Sequence, residues 1–296
     1  SHFSNLLPEI YRYSIQKGNV FIEMKYYNFP NMRKIILDNI NEKFYLKKRW
    51  SYLFDNLIEH LYVDKFSKKA PDDFVEKTHF KKLKKRLADT LNLAPFLKEV
   101  VSRNNLIIND KKYLNIGVIM PKLQTNEAII KKLTPSKVYY SHGDLHCNNL
   151  LCGIRSDSMI LLDCRGKSPY GDLFFDISYD VAKLYHDLRS LYTLIEKHYY
   201  SIFLSVNVDS VSIEYEFNHK ELFLRIEQSR KIVEGLIKKK FKGFKLLGYR
   251  AEFTEAMLYL TMVPFHLKTK SEGLMCYITG IIRLNEWIEK YHPELL

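Results

Sequence analysis

The chain has 296 residues, 46% of them hydrophobic and 14% aromatic, with a formal net charge of +12. That much apolar side chain can bury a substantial core, which excludes a disordered segment; no run approaches the roughly 20 apolar residues of a membrane-spanning helix. The lysines sit in helical contexts, as at Lys81, Lys82, Lys84 and Lys85 or Lys238, Lys239 and Lys240, without zinc spacing or an aromatic strand motif beside them. Nucleic acid is therefore not the expected partner, and the basic balance suits an anionic small molecule such as a nucleotide or sugar phosphate.

Residues 11–14 and Asn19–Met24 are rich in aromatic and β-branched side chains, and Gln16-Lys17-Gly18 between them supplies a turn, so a β-hairpin is expected. Asn28-Phe29-Pro30 ends the extended run, and Asn31 can cap a helix that starts near Met32. Trp50, Leu53, Phe54, Leu57, Ile58 and Leu61 recur every three or four residues, one apolar stripe on a long helix. Further helices are expected over 80–91, after Pro95 and at 129–133, while 112–118 reads equally as strand or loop. Val138-Tyr139-Tyr140 reads as a strand running into a loop, and 149–152 and 159–162 as two strands joined by Arg155-Ser156-Asp157. Helices resume near Asp176 and dominate to the end, including 221–241, 250–265 and 271–291.

The start, Ser1-His2-Phe3, lacks the basic-then-apolar order of a signal peptide. Cys147, Cys152, Cys164 and Cys276 form no C-x-x-C pair and read as free thiols of a reducing compartment, which points to the cytoplasm.

The stretch Ser141-His142-Gly143-Asp144-Leu145-His146-Cys147-Asn148-Asn149 carries the chemistry. An Asp and an Asn five apart in a loop between short strands can converge on one point. Phosphoryl transfer needs a carboxylate to orient the attacking hydroxyl and accept its proton, and oxygen ligands for magnesium at the phosphates. Asp144 suits the first task and Asn149 the second. Asp163, nineteen residues after Asp144 at the end of an apolar strand, suits the main magnesium ligand.

H-G-D-L-H-x-x-N-x-L followed by an apolar strand ending in Asp resembles the aminoglycoside phosphotransferase and choline kinase superfamily, relatives of protein kinases. The run Leu162-Asp163-Cys164-Arg165-Gly166, then Tyr170-Gly171-Asp172 and residues 179–184, resembles a bacterial subgroup found with surface-polysaccharide (capsule) genes, as does Met262-Val263-Pro264-Phe265-His266. The resemblance spans about residues 6 to 290, with its specific part in 140–184. It implies an α+β, protein-kinase-like fold, mainly the helical C-lobe (30–296) with a reduced N-lobe hairpin and hinge (1–29). It implies ATP, or another nucleoside triphosphate, and Mg2+ as cofactors, with a small-molecule hydroxyl as acceptor. Asp144 would be the catalytic base, Asn149 and Asp163 the metal ligands, and His142 a structural member of the loop. Asp172, Asp176 and Asp180 compete for the role of a buried aspartate that bonds the loop backbone. Arg165 would contact phosphate or substrate, or pair with Asp172; His146 would line the site or serve the fold. His266 is expected to pack between helices, with substrate contact as the alternative.

Family members cover ATP with a glycine-rich loop and hold it through a strand lysine. No glycine precedes Gly18, no G-x-G-x-x-G occurs, and no lysine precedes Lys17. The hairpin matches the last two strands of a kinase N-lobe, which makes Glu23-Met24-Lys25-Tyr26 the hinge whose backbone meets adenine. The first three strands are expected in a removed upstream segment; a preceding domain that completes the site, or a reduced and inactive relative, are the alternatives.

Overall fold

The computed structural model describes residues 6–16, 18–38, 43–155, 157–208 and 210–296. Lys17 and Ser156, in the two expected turns, lie outside them.

The expected hairpin forms from β1 (Ile10–Gln16) and β2 (Asn19–Met24), paired antiparallel. Asn31 accepts the Lys34 N–H at 2.8 Å, the cap foreseen for α1 (Met32–Asp38). The apolar stripe of α2 (Lys43–Asn56) continues through a wide turn at Leu57–Leu61 and buries Trp50, Leu53, Phe54 and Leu57. After β3 (Ser67–Lys69) come α3 (Lys81–Leu93) and α4 (Lys98–Ser102), separated by a short turn begun by Pro95. The ambiguous stretch at 112–118 divides at Asn115. β4 (Asn105–Ile108) and β5 (Lys111–Leu114) make a hairpin, and the buried Asn115 side chain accepts the Ile116 N–H to open α5 (Ile116–Gln124).

Next come α6 (Glu127–Leu133), β6 (Lys137–Tyr140), β7 (Leu150–Cys152), β8 (Met159–Leu161) and the two-residue β9 (Phe174–Phe175). Helices α7 (Ile177–Leu188) and α8 (Tyr192–Glu196) lead to strands β10 (Tyr200–Val206) and β11 (Val211–Phe217). Three long helices close the chain: α9 (Lys220–Lys240), α10 (Phe244–Met262) and α11 (Lys270–Tyr291).

The fold is α+β, 57% helical, with its strands in small sheets rather than one continuous sheet. One sheet corrects the sequence reading. Strands β10-β11-β4-β5 form a four-stranded sheet in regions expected to be helical or ambiguous, with β11 parallel to β4 through Ser212 and Ile107. The cause is alternation: Val211 and Ile213 face inward while Ser212 and Glu214 do not, the period of a half-buried strand.

Two apolar clusters share α10. One gathers Trp287, Tyr259 and Tyr277 where α11 approaches α10 closely; a Cβ on Gly280 would lie 2.7 Å from Leu260 Cγ. The other packs Trp50 and Leu53 of α2 against β7, β8 and α7, and it takes in Leu145 and Leu150 from the loop between β6 and β7. Burying each of those two leucines is worth about 2 kcal/mol, which ties the loop to the helical body before any polar contact is counted. Among the described residues, no helix is long and apolar enough to cross a membrane.

Candidate active site

The loop after β6 is held from inside by two carboxylates of α7. Asp180 is fully buried and accepts the N–H groups of His142 at 2.9 Å and Gly143 at 2.7 Å, and the Tyr62 hydroxyl at 2.9 Å. Burial pushes its pKa up to about 6, against the pull of those donors. Two turns further along α7, Asp187 accepts the Cys147 N–H at 2.7 Å, Arg33 at 3.2 Å and the Thr193 hydroxyl at 3.0 Å. Burial works to raise the Asp187 pKa, but Arg33, His146 and the hydrogen bonds outweigh it and hold the carboxylate charged. Gly143 completes the turn at φ 75°, where a Cβ would meet Arg165 Cβ at 2.8 Å.

This frame presents Asp144. Its Oδ1 lies 2.7 Å from Lys183 Nζ, a third charged residue of α7. Burial opposes ionisation of Asp144, yet the charge and hydrogen bond of Lys183 prevail and keep the pKa below the usual carboxylate range. His142 accepts the Asp144 N–H on Nδ1 at 3.2 Å, and burial lowers its pKa to about 4, so the ring is neutral at pH 7 and serves the turn. His146 Nε2 stands 4.0 Å from Asp144 Oδ2; burial lowers its pKa too.

Asn149 donates its side-chain amide to the Asp144 carbonyl at 2.9 Å, which leaves its oxygen as the end available to a cation. Leu150 pairs with Leu161, and the Leu162 N–H donates to the Asn149 carbonyl at 2.9 Å. Asn149 and Asp163 therefore leave the β7–β8 hairpin at the same end. Asp163 is exposed, has φ 55°, and pairs with no cation among the described residues. A non-glycine residue held in the left-handed region is a strain that packed surroundings must support, and such strain gathers at functional sites.

Among the described residues, no three His, Cys, Asp or Glu side chains gather as a metal-binding group. A cation at Asn149 and Asp163 would thus take most of its ligands from water and substrate phosphate. Hard oxygen donors in that small number fit magnesium and do not fit zinc.

The other expected residues divide. Of the three competing aspartates, Asp180 alone reaches the loop backbone. Asp172 is held by Lys68 and by the Ser168 hydroxyl at 2.6 Å, and Asp176 stands at the start of α7 bound by Arg250 Nε at 2.7 Å. The Arg165–Asp172 pair is corrected as well: Arg165 donates to the Tyr179 hydroxyl at 2.9 Å, because Lys68 already occupies Asp172. Of the four residues expected to form a hinge, Glu23 pairs with Arg12, Met24 sits opposite Ile10, the Lys25 N–H donates to the Glu9 carbonyl at 2.8 Å, and Tyr26 projects into solvent. Past the hinge, the chain docks on β7: Asn31 forms a bridge to Leu151, and the Cys152 N–H donates to the Pro30 carbonyl at 2.8 Å.

A cleft of about 740 Å³ opens beside Asp144 and His146. Lys82 and Arg86 of α3 line it together with Arg165, Lys183, Phe265 and His266. His266 does pack against a helix, through Glu272 at 3.1 Å, but it also lines this cleft. Asn149, Asp163 and the four hinge residues are not among its walls. Sequence reasoning missed Lys183 and Asp187. Their signal was present: Asp180, Lys183 and Asp187 fall on one side of a largely apolar helix, at spacings of three and four.

No protein-family model matches this chain, and no curated protein matches it significantly.

Proposed function

We propose that the chain is a magnesium- and ATP-dependent phosphotransferase, of the kind that the aminoglycoside phosphotransferase and choline kinase superfamily exemplifies. It would phosphorylate a hydroxyl of a small molecule such as a sugar or amino alcohol. The observation that carries this reading is a single residue, Asp144. Its carboxylate stands at the wall of a cleft large enough for a metabolite, while its backbone carbonyl binds the Asn149 amide beside Asp163.

The chemistry asked of the protein is mostly positioning. An acceptor hydroxyl in the cleft would hydrogen-bond to Asp144, which is ionised at neutral pH and so ready to accept the proton as the new O–P bond forms and the bond from the γ-phosphorus to the departing ADP breaks. Lys183 and Arg165 lie beside that carboxylate and favour negative charge on the group being transferred. Asn149 and Asp163 would hold magnesium, which neutralises and orients the nucleotide phosphates when bound. A second reading, a nucleotide- or partner-binding module without turnover, draws on the hairpin, whose large apolar side chains remain exposed.

The test is Asp144→Ala. ATP consumption with an accepted hydroxyl compound should fall at least ~10³-fold with the circular dichroism spectrum unchanged. A variant that retains activity would remove Asp144 from the role of base, and a wild-type polypeptide that binds magnesium-ATP without turnover would favour the module.

A further inference from the structure

We propose that the cleft beside Asp144 takes an acceptor bearing an oxyanion, a sugar phosphate or sugar acid, held by Lys82 and Arg86 of α3. That the ligand is an acceptor rests on the phosphotransferase reading; that the cleft binds an anion does not.

The charge balance of the walls is one-sided. Lys82, Arg86, Arg165, Lys167 and Lys183 face the cleft, against two carboxylates, Asp144 and Glu196. Both carboxylates are already engaged, Asp144 by Lys183 and Glu196 by the buried Arg33. Among the described residues, Lys82, Arg165 and Lys167 pair with no carboxylate, and Arg86 has only Asp89 on its own helix, at 3.3 Å. A cationic acceptor would meet uncompensated like charge here, whereas an oxyanion would supply the missing counter-charge.

The cations are also held in place. Lys82 and Arg86 are one helical turn apart on α3, so they project from the same face. Lys82 lies 3.5 Å from the Tyr179 hydroxyl, which Arg165 also reaches. The Arg86 guanidinium sits over the Phe265 ring at 4.5 Å, an arrangement that orients its fork without using its donors. With only Nη1 engaged, by Asp89, the remaining donors of this planar guanidinium can bind phosphate or carboxylate through two parallel hydrogen bonds. Lys82 and Arg86 line this cleft, whereas Asn149 and Asp163, the groups assigned to the nucleotide's magnesium, do not.

The experiment is calorimetric titration without nucleotide or magnesium, using glucose, glucosamine, glucuronate and glucose 6-phosphate as matched probes. Glucuronate and glucose 6-phosphate should each bind at least tenfold more tightly than glucose, and glucosamine more weakly than glucose. Raising the salt concentration should weaken the two anions alone. The double variant Lys82→Gln/Arg86→Gln, partly exposed positions whose exchange leaves the core untouched, should lose at least tenfold in anion affinity. The proposal is overturned by failure of both anions to bind, by glucosamine binding as tightly as either, by an unaffected double variant, or by full competition between ADP and the anions. A protein that binds both anions yet transfers no phosphate would end the enzymatic reading and leave this site standing. One that phosphorylates glucosamine in preference to glucose 6-phosphate would do the reverse.

Discussion

Ile15, Val20 and Tyr13 of the β1–β2 hairpin are 81%, 76% and 68% exposed, whereas His142, Leu145 and Cys147 of the loop after β6 are each 1% exposed. Both segments belong to the site proposed for one reaction, yet they are built by opposite means. The loop is fixed from within by two buried carboxylates and two apolar anchors, so its shape needs no ligand. The hairpin is a two-stranded ribbon whose outer edges pair with no other strand among the described residues, an arrangement of marginal stability by itself. The half of the proposed site that would handle the acceptor is therefore set in advance, and the half that would meet the nucleotide base stands on a much less supported segment.

The contrast can be broken most directly at Asp180. Asp180→Ala leaves two buried N–H groups and the Tyr62 hydroxyl without their acceptor, each costing about 1–3 kcal/mol. A loss of at least about 3 kcal/mol in urea unfolding is expected, together with lost turnover; wild-type stability would show that the carboxylate does not fix the loop.

Acidification gives a smaller effect of known sign. Burial lowers His142 to about 4 and His79 to about 3, below the 6.5 of an unfolded chain. The folded state thus binds fewer protons, and the stability these rings contribute is full above pH 6.5 and lost as pH falls through 6.5 toward 4. Asp180 acts the other way: raised to about 6, it favours the folded state at low pH and ceases to do so as pH rises through 6. The histidines prevail, since burial lowers His146 and His186 as well, and going from pH 7 to pH 5 should cost at least about 2 kcal/mol. His142→Asn should flatten that slope, and a stability independent of pH over this range would contradict the burial argument.

The hairpin should show the smallest effect. Ile15→Ser removes a side chain that nothing among the described residues covers, and its free energy of unfolding should change by less than about 0.5 kcal/mol. A loss above 1 kcal/mol would mean that the hairpin is covered in solution and that the two regions differ less than the exposures indicate.

Much of this was legible in the residues, and the failures have physical causes. The stripe from Trp50 to Leu57, the Asn31 cap and the order of Asp144, Asn149 and Asp163 all express local periods or spacings. Choosing Asp180 over Asp172 and Asp176 needed the approach of α7 to the loop, a tertiary fact. Lys183 escaped because a charged residue in a helix ordinarily faces water. The pairing of β11 with β4 joins residues about a hundred apart, and no local signal specifies it. The alternation of Val211, Ile213, Tyr215 and Phe217, by contrast, was present and was passed over in favour of helix.

Asn149 and Asp163, at the mouth of the β7–β8 hairpin, are proposed to bring magnesium and nucleotide phosphate to Asp144. Titration of ATP with and without magnesium, on the wild-type protein and on Asp163→Asn, tests it most directly. Magnesium should tighten nucleotide binding by the wild-type chain, and the variant should lose at least ~10-fold of that gain, about 1.4 kcal/mol. Magnesium-independent binding by the wild type, or an undiminished magnesium effect in the variant, would contradict the claim.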